Sequence, residues 1–499
     1  MSLPGNETPV IVQKPKSFWE ELSDVPKTEL YGIILAFVVL FGFHLGPALP
    51  GLKAQGQTIL GIFLWFMIIM IVSESNKFAM GVATPMLLVV LGKMKIPEAY
   101  SAFSSDAFFL AIGAFAYAAV MMATPLGKRI ALVITDLFRS VKVPRIAGGL
   151  ALADVGISGF LPTVAETAVF LPLARGINEL MKGKEELDEV KRIKNCIYLL
   201  ICGIMPLFTA MMTLTSHFPN IIMAGYLKDM KGIYISWMDW LVLNLPLWGL
   251  IPVAFIYTVS YFKLWKAEIP GASEEIPKMK QELGKITWPE KWALLCLAIA
   301  LILWMTEGKL HNFSTGMTAI ILVGLLFLPW GKLEFNKIYP HMMWDVWVLL
   351  GGAISLGTAL HKSGVVDWMV KLMLEPLGSA IYGLPPIIIL TLVVFISHIP
   401  RAGIVSAAAM GAMFIPMTIG LADKLGFNAL PFTLIVINCL SYSFFLPMSI
   451  TAFFIGWGAS GMSMGEAIKF GTPLTIISNI YCIVVMSIWL PLLGYPLMM

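Results

Sequence analysis

The chain has 499 residues, 58% of them hydrophobic and 13% charged, with a formal net charge of +4. Soluble domains run near half apolar and a quarter charged, so a water-soluble fold is excluded: it could not cover its own surface with polar groups. The small charge and the lack of a Lys/Arg-rich arm give no sign of a nucleic-acid partner, and the five cysteines (Cys196, Cys202, Cys296, Cys439, Cys482) show neither metal spacing nor a disulfide framework.

Residues 1–27 are polar, with Lys14, Lys16 and Lys27, and predict a retained cytoplasmic segment rather than a cleaved signal. Apolar runs of spanning length follow at 28–48, 55–73, 77–92 and 105–123. An amphipathic piece at 127–139 is predicted to lie along the interface. Residues 146–180 are apolar for about 35 residues, too long for one span and too short for two with a polar loop. Leu161-Pro162-Thr163 interrupts them near the middle.

Spans at 195–225 and 238–262 close the first half, and a polar linker at 263–288 follows. The second half reads 289–305, 316–330, 346–361, an interfacial piece at 366–376, a long apolar segment at 385–420, then 427–456 and 467–496. Ile399-Pro400-Arg401-Ala402-Gly403 interrupts the segment at 385–420. The total is about eleven spans.

Each interrupted segment offers two arms of about 15 residues, which at 1.5 Å per residue reach only part-way through a ~30 Å core. A re-entrant hairpin with its tip near the midplane fits this; a single tilted helix kinked at proline is the alternative. Non-helical backbone at that depth needs protein or a watery cavity around it.

The order of elements repeats. AVFLPLARGI ends the first hairpin and AMFIPMTIGL the second; MDWLVLNLPLWGL and MGEAIKFGTPLTI open the last spans of the two halves. The expected architecture is an all-α polytopic membrane protein of about 11 transmembrane helices plus two re-entrant hairpins, arranged as two inverted-topology repeats. Its divisions are 1–27, a first helix and loop at 28–54, repeat 1 at 55–262, the linker at 263–288 and repeat 2 at 289–499. With the N-terminus inside, the densest Lys/Arg clusters (Lys128 to Arg145, Lys182 to Lys194, Lys263 to Lys285) fall inside and the C-terminus outside.

Ionisable residues within spans are costly and default to functional hypotheses. Glu166 stands just past the first tip, Arg401 at the second tip beside His398, and His217 in the interrupted fifth span; Asp106 and Asp154 stand closer to span ends. A guanidinium at that depth needs an anionic partner. Arg401 therefore binds a substrate anion together with Gly403, or pairs with Glu166, or snorkels to the interface. Glu166 carries a proton, ligates a cation, or caps the helix that restarts after Pro162.

TLTSHFPNIIMAG supplies Thr215, Ser216, His217 and Asn220 around Pro219, and LPMSITAFFIGWG supplies Ser449 and Thr451 after Pro447. Interrupted helices free backbone carbonyls for Na⁺ and helix N-termini for anions, although a single hydroxyl more often bonds back to its own helix. The substrate candidates are Arg401, Thr163, Gly403, Ser449, Thr451, Thr215 and Asn220. The ion-coupling candidates are Glu166, Thr163, Ser216, His217, His398 and Thr451.

On these residues the chain resembles the divalent anion/sodium symporter family, transporters of di- and tricarboxylates and sulfate. TSHFPNIIMAGYL is similar to that family's break after the first hairpin, WDVWVLLGGAISLGTALHKSGVVDWM to its span leading into a surface helix, and FFLPMSITAFFIGWG with EAIKFGTPL to its C-terminal signature. The resemblance implies a dimer in the cell membrane that works as an elevator, with no cofactor beyond Na⁺ and with partners limited to a small anion, Na⁺ or H⁺, and the bilayer. It also implies Ser-Asn-Thr at each tip. Here the first tip reads Pro162-Thr163-Val164-Ala165-Glu166 and the second Pro400-Arg401-Ala402-Gly403. The departures read as proton coupling through Glu166, as anion exchange, or as a different anion held by Arg401. A metalloid-oxyanion extruder or cation/proton antiporter is the alternative transporter. A membrane enzyme is disfavoured, because no His-Glu-x-x-His and no paired Asp motif occurs within a span.

Overall fold

The computed structural model describes residues 26–499 except 74, 75, 185, 376–380, 382 and 405. The N-terminal segment expected to be cytoplasmic therefore lies, up to residue 25, outside the described residues. The described chain is helical, with only isolated β-bridges.

The first half runs α1 (Lys27–Leu45), α2 (Ala54–Val72), α3 (Lys77–Val90), α4 (Asp106–Ala123), α5 (Leu126–Asp136), α6 (Val143–Ser158), α7 (Thr163–Glu179), α8 (Asp188–Ala210), α9 (Phe218–Lys231) and α10 (Trp237–Tyr261). A linker helix, α11 (Ala272–Glu282), precedes the second half. That half runs α12 (Trp288–Thr306), α13 (Thr315–Leu326), α14 (Trp344–Lys362), α15 (Val365–Leu374), α16 (Pro386–Arg401), α17 (Ala407–Leu425), α18 (Ala429–Ser441), α19 (Thr451–Ser460) and α20 (Met464–Leu492). The order from α2 to α10 thus recurs from α12 to α20.

Among the described residues, eight helices are long and apolar enough to cross a membrane, or nine when Phe335–His341 and α14, bent by 57°, are taken as one span. This is fewer than the eleven expected. The reason is local: α3 and α13 have 14 and 12 residues, roughly 21 and 18 Å of helix at 1.5 Å per residue. The expected span at 427–456 is split into α18 and α19; that at 195–225 is split into α8 and α9, of which α8 alone is long enough, and α17, expected as a hairpin arm, is also long enough to be counted.

Helix starts follow sequence chemistry. The last helix of each half opens with a capping box, Ser236 with Asp239 and Ser463 with Glu466. In each, hydroxyl and carboxylate satisfy otherwise orphaned backbone N–H groups.

The frame is built from cross-paired helices, α3 against α14 and α4 against α13. These two pairs exchange when one half is laid on the other. The α3–α14 crossing is made by facing glycines: a Cβ added at Gly352 would stand 2.6 Å from the Gly81 carbonyl oxygen. Backbone contact this close admits no side chain. The linker is clasped to the first half. Arg129 donates to the Gly284 carbonyl at 2.8 Å, Lys280 to Asp136 at 2.9 Å, and the Ile269 amide to the Val141 carbonyl at 2.7 Å. Peripheral α1 exposes Leu35, Val38 and Phe41, an apolar face suited to lipid.

Candidate functional site

The first interruption is a hairpin. Asp154 on α6 and Glu166 on α7 neighbour one another, whereas twelve residues of straight helix would hold them roughly 18 Å apart. The chain turns at Gly159–Pro162, where Pro162 blocks continuation and α7 restarts at Thr163. Asp154, expected near a span end, is instead fully buried beside the tip: the segment folds back, so the end of its first arm is its deepest part.

The hydroxyls of the first interrupted helix fasten onto this tip. Thr213 and Thr215 donate to the Gly159 carbonyl at 2.9 and 3.0 Å, and Ser216 to that of Ser158. Asn220 closes the gap in its own helix, giving its amide to Ala210 O at 3.0 Å and Thr213 O at 2.9 Å. The donor groups of Thr215, Ser216 and Asn220 are therefore engaged by backbone carbonyls. Thr163 Oγ1 lies 3.2 Å from His217 Nδ1, and His217 Nε2 is buried without a hydrogen-bond partner among the described residues.

The second interruption also folds back. Leu392, Ile396 and Pro400 of α16 face Met413, Met417 and Leu421 of α17 across an apolar cavity of about 500 Å³. Arg401 ends α16 with only 1% of its surface exposed, so it does not snorkel. Its Nε donates to the Leu440 carbonyl at 3.3 Å and its Nη1 to that of Ile404. Among the described residues no carboxylate pairs with it, and the Glu166–Arg401 pair considered from sequence is not formed. The guanidinium is close enough for its charge to act on both His217 and His398. His398 is fixed by Ser443 Oγ at 3.1 Å and Asn479 Nδ2 at 2.6 Å.

The structure thus links Thr163, His217, Arg401 and His398 into one chain spanning both halves, Thr163 and His217 by direct contact and Arg401 to the two imidazoles through its charge. Gly403 is exposed on the turn, where a Cβ would meet nothing nearer than 3.8 Å. Ser449 is buried in the second gap with its hydroxyl unpartnered, and Thr451, half-buried, begins α19. Asp106 accepts from Ser314 at the frame, away from this chain. No group of three or more His, Cys, Asp or Glu able to hold a metal ion occurs among the described residues.

Sequence reasoning passed over Asp154 as a partner, and Ser406, the buried N-cap of α17, which accepts from Ala409 N at 3.3 Å. Both had signals. Asp154 and Glu166 stand six residues either side of Phe160, and Ser406 immediately precedes Ala407-Ala408-Ala409.

The fold is shared with known transporters. The Alcanivorax borkumensis YdaH transporter superposes with a TM-score of 0.52 at 14% identity, covering 88% of this chain and 99% of that one. The Neisseria gonorrhoeae efflux pump MtrF gives 0.53 at 12% identity, covering 95% and 97%. In sequence, the sodium-dependent dicarboxylate transporter SdcS of Staphylococcus saprophyticus is 26% identical over 485 residues, 91% of each chain. The corresponding Staphylococcus aureus protein is 24% identical, over 93% of this chain and 91% of its own. A membrane protein of Cupriavidus necator is 25% identical over 478 residues, 91% of each chain. The model of the sodium:sulfate symporter transmembrane region matches residues 27–495, and the chain therefore belongs to that family of membrane transporters and is not an enzyme.

Proposed function

We propose that the protein is a secondary transporter of a small anion, a di- or tricarboxylate or a sulfate-like oxyanion, with Arg401 as the electrostatic anchor for that anion. One observation carries this reading: the Arg401 guanidinium is fully buried, bonded only to two carbonyls, and has no carboxylate partner among the described residues. An unpaired buried cation costs several kcal/mol, and a bound anion removes that cost through a charge-assisted pair. Thr163, in contact with His217, and Ser449 and Thr451 in the second gap supply hydroxyls to orient the ligand; Na⁺ or H⁺ supplies the drive. The staphylococcal relatives, sodium-dependent dicarboxylate transporters, support a dicarboxylate as the first substrate to test.

On this reading, repeats 55–262 and 289–499 form an elevator. The glycine-crossed frame stays fixed while hairpins and interrupted helices move, in a homodimer of the plasma membrane. The clustering of Lys128 to Arg145 with the linker supports a cytoplasmic linker and an outside C-terminus.

The test uses purified protein in proteoliposomes with labelled succinate, citrate and sulfate, and thermal scanning with the same anions. At least one anion is expected to be taken up and to raise the melting midpoint. Absence of both effects with all three anions would overturn the reading.

A further inference from the structure

Inside the first hairpin, behind the tip, stand two carboxyl groups with no counter-charge. Asp154 and Glu166 are both 0% exposed, and none of their four carboxyl oxygens has a hydrogen-bond partner among the described residues. They come from opposite arms of the hairpin and neighbour each other directly.

Among the described residues no cation on the two arms or on the elements packed against them acts on either carboxyl, and Arg175 of α7 acts instead on Cys202 and Tyr198. From α8 the Cys202 thiol faces Asp154. Thr209, also on α8, faces Glu166 with its own proton given to Met205 O at 2.8 Å. Tyr117 of α4 lies beside the tip at Phe160, its hydroxyl unpartnered. The charges on α5 and α11 are held elsewhere, Arg129 by Glu290 and Lys280 by Asp136, while half-buried Lys128 is not among the groups acting on either carboxyl. Tyr257 of α10 donates to Phe470 O at 2.6 Å, and α19 carries no ionisable residue.

The backbone beside the pair is irregular. Tyr198–Ile204 of α8 is a π-helical turn, and the Cys202 carbonyl within it accepts from Thr167 of α7 at 3.0 Å. Such turns inside α-helices concentrate at functional positions.

Two adjacent carboxylates in a dry site cannot both be charged without a large penalty. A proton shared between them belongs to the pair rather than to either residue, and buried acids of this kind in membrane proteins form proton paths. We propose that Asp154 and Glu166 form a proton site within the moving hairpin, binding one proton on one side of the membrane and releasing it on the other, so that anion transport runs on the proton gradient. This rests on the anion-transport reading and adds the identity of the coupling ion.

The experiment has two arms. In sodium-free proteoliposomes loaded with pyranine, an inward proton gradient should drive succinate accumulation with matching acidification of the lumen. In Asp154→Asn and Glu166→Gln, the ratio of gradient-driven uptake to succinate counterflow should fall at least tenfold. The second arm does not depend on a substrate or on a variant. Dicyclohexylcarbodiimide, an apolar reagent that attacks protonated carboxyls, should label Asp154 or Glu166 in the intact protein at pH 6 and lose that labelling as pH rises.

Succinate uptake driven by sodium with no change in lumen pH would overturn the proton site while leaving the anion reading in place. Failure of every anion to bind would instead sink the anion reading, and labelling would then decide the proton site alone. Wild-type protein unlabelled at both residues at pH 6 would overturn it.

Discussion

Arg401→Met separates the two roles open to a buried guanidinium, because its effects on stability and on binding differ in sign and size. Removing an ion of this kind from water costs several kcal/mol after relaxation. Its two hydrogen bonds, to the Leu440 and Ile404 carbonyls, return about 1.5–3 kcal/mol each, the range for charged donors. The terms nearly cancel, so methionine, similar in length and uncharged, should leave the ligand-free protein within about 2 kcal/mol of wild type. Anion binding should suffer far more. Losing one partner of a desolvated charge pair costs about 2–5 kcal/mol, which at 1.4 kcal/mol per decade is roughly 30- to 4,000-fold in affinity. Thermal scanning of detergent-purified protein against a succinate titration reads both quantities, and uptake in proteoliposomes follows the second. A variant that melts like wild type and responds to succinate like wild type would refute the assignment of Arg401 to the anion.

Gly352→Val would drive a side chain into the Gly81 backbone and should cost about 1–3 kcal/mol, seen as a lower melting midpoint and a broadened size-exclusion peak. Gly324→Ala, with nothing within 4 Å of its Cβ, should leave both unchanged. Asn220→Leu strands the Ala210 and Thr213 carbonyls and should cost about 1–3 kcal/mol in the same scan. Lys280, then Arg139, hold the Asp136 carboxyl below its usual range. The stabilisation from Asp136 is therefore present above the unfolded value, near pH 4, and lost as pH falls through the folded one. Asp136→Asn should lower the midpoint slightly at neutral pH, and the difference should shrink as pH falls below about 4 and vanish below the folded value.

Apolar run length and proline placement made the helices and both hairpins legible, because a helix that must bury its backbone polar groups in lipid leaves few alternatives. The span count was less legible: α3 and α13 are short, a fact that depends on where their partners cross them. In the site, the depth of Arg401 followed from its place at an interruption. Its partners did not, since Leu440 and Ile404 contribute backbone carbonyls that carry no sequence signature. Thr215 and Ser216 read as ligands but bond the Gly159 and Ser158 carbonyls at the end of α6, where they satisfy acceptors that a helix C-terminus leaves open. Asp154 was misplaced by a linear view of its segment, because its proximity to Glu166 exists only once the chain has doubled back.

The crossed pairing of α3 with α14 and α4 with α13 also sets a timetable. The partner of α3 ends at Lys362, roughly 270 residues after Val90, and that of α4 at Leu326, roughly 200 residues after Ala123. At about 5–20 residues per second of synthesis, α3 waits roughly 14–54 s and α4 roughly 10–41 s in the bilayer before the surfaces they are shaped for arrive. Through that interval the glycine face of α3 meets only lipid or passing helices. The two crossings therefore stay open while most of the chain is made, and misassembly during biogenesis should begin there.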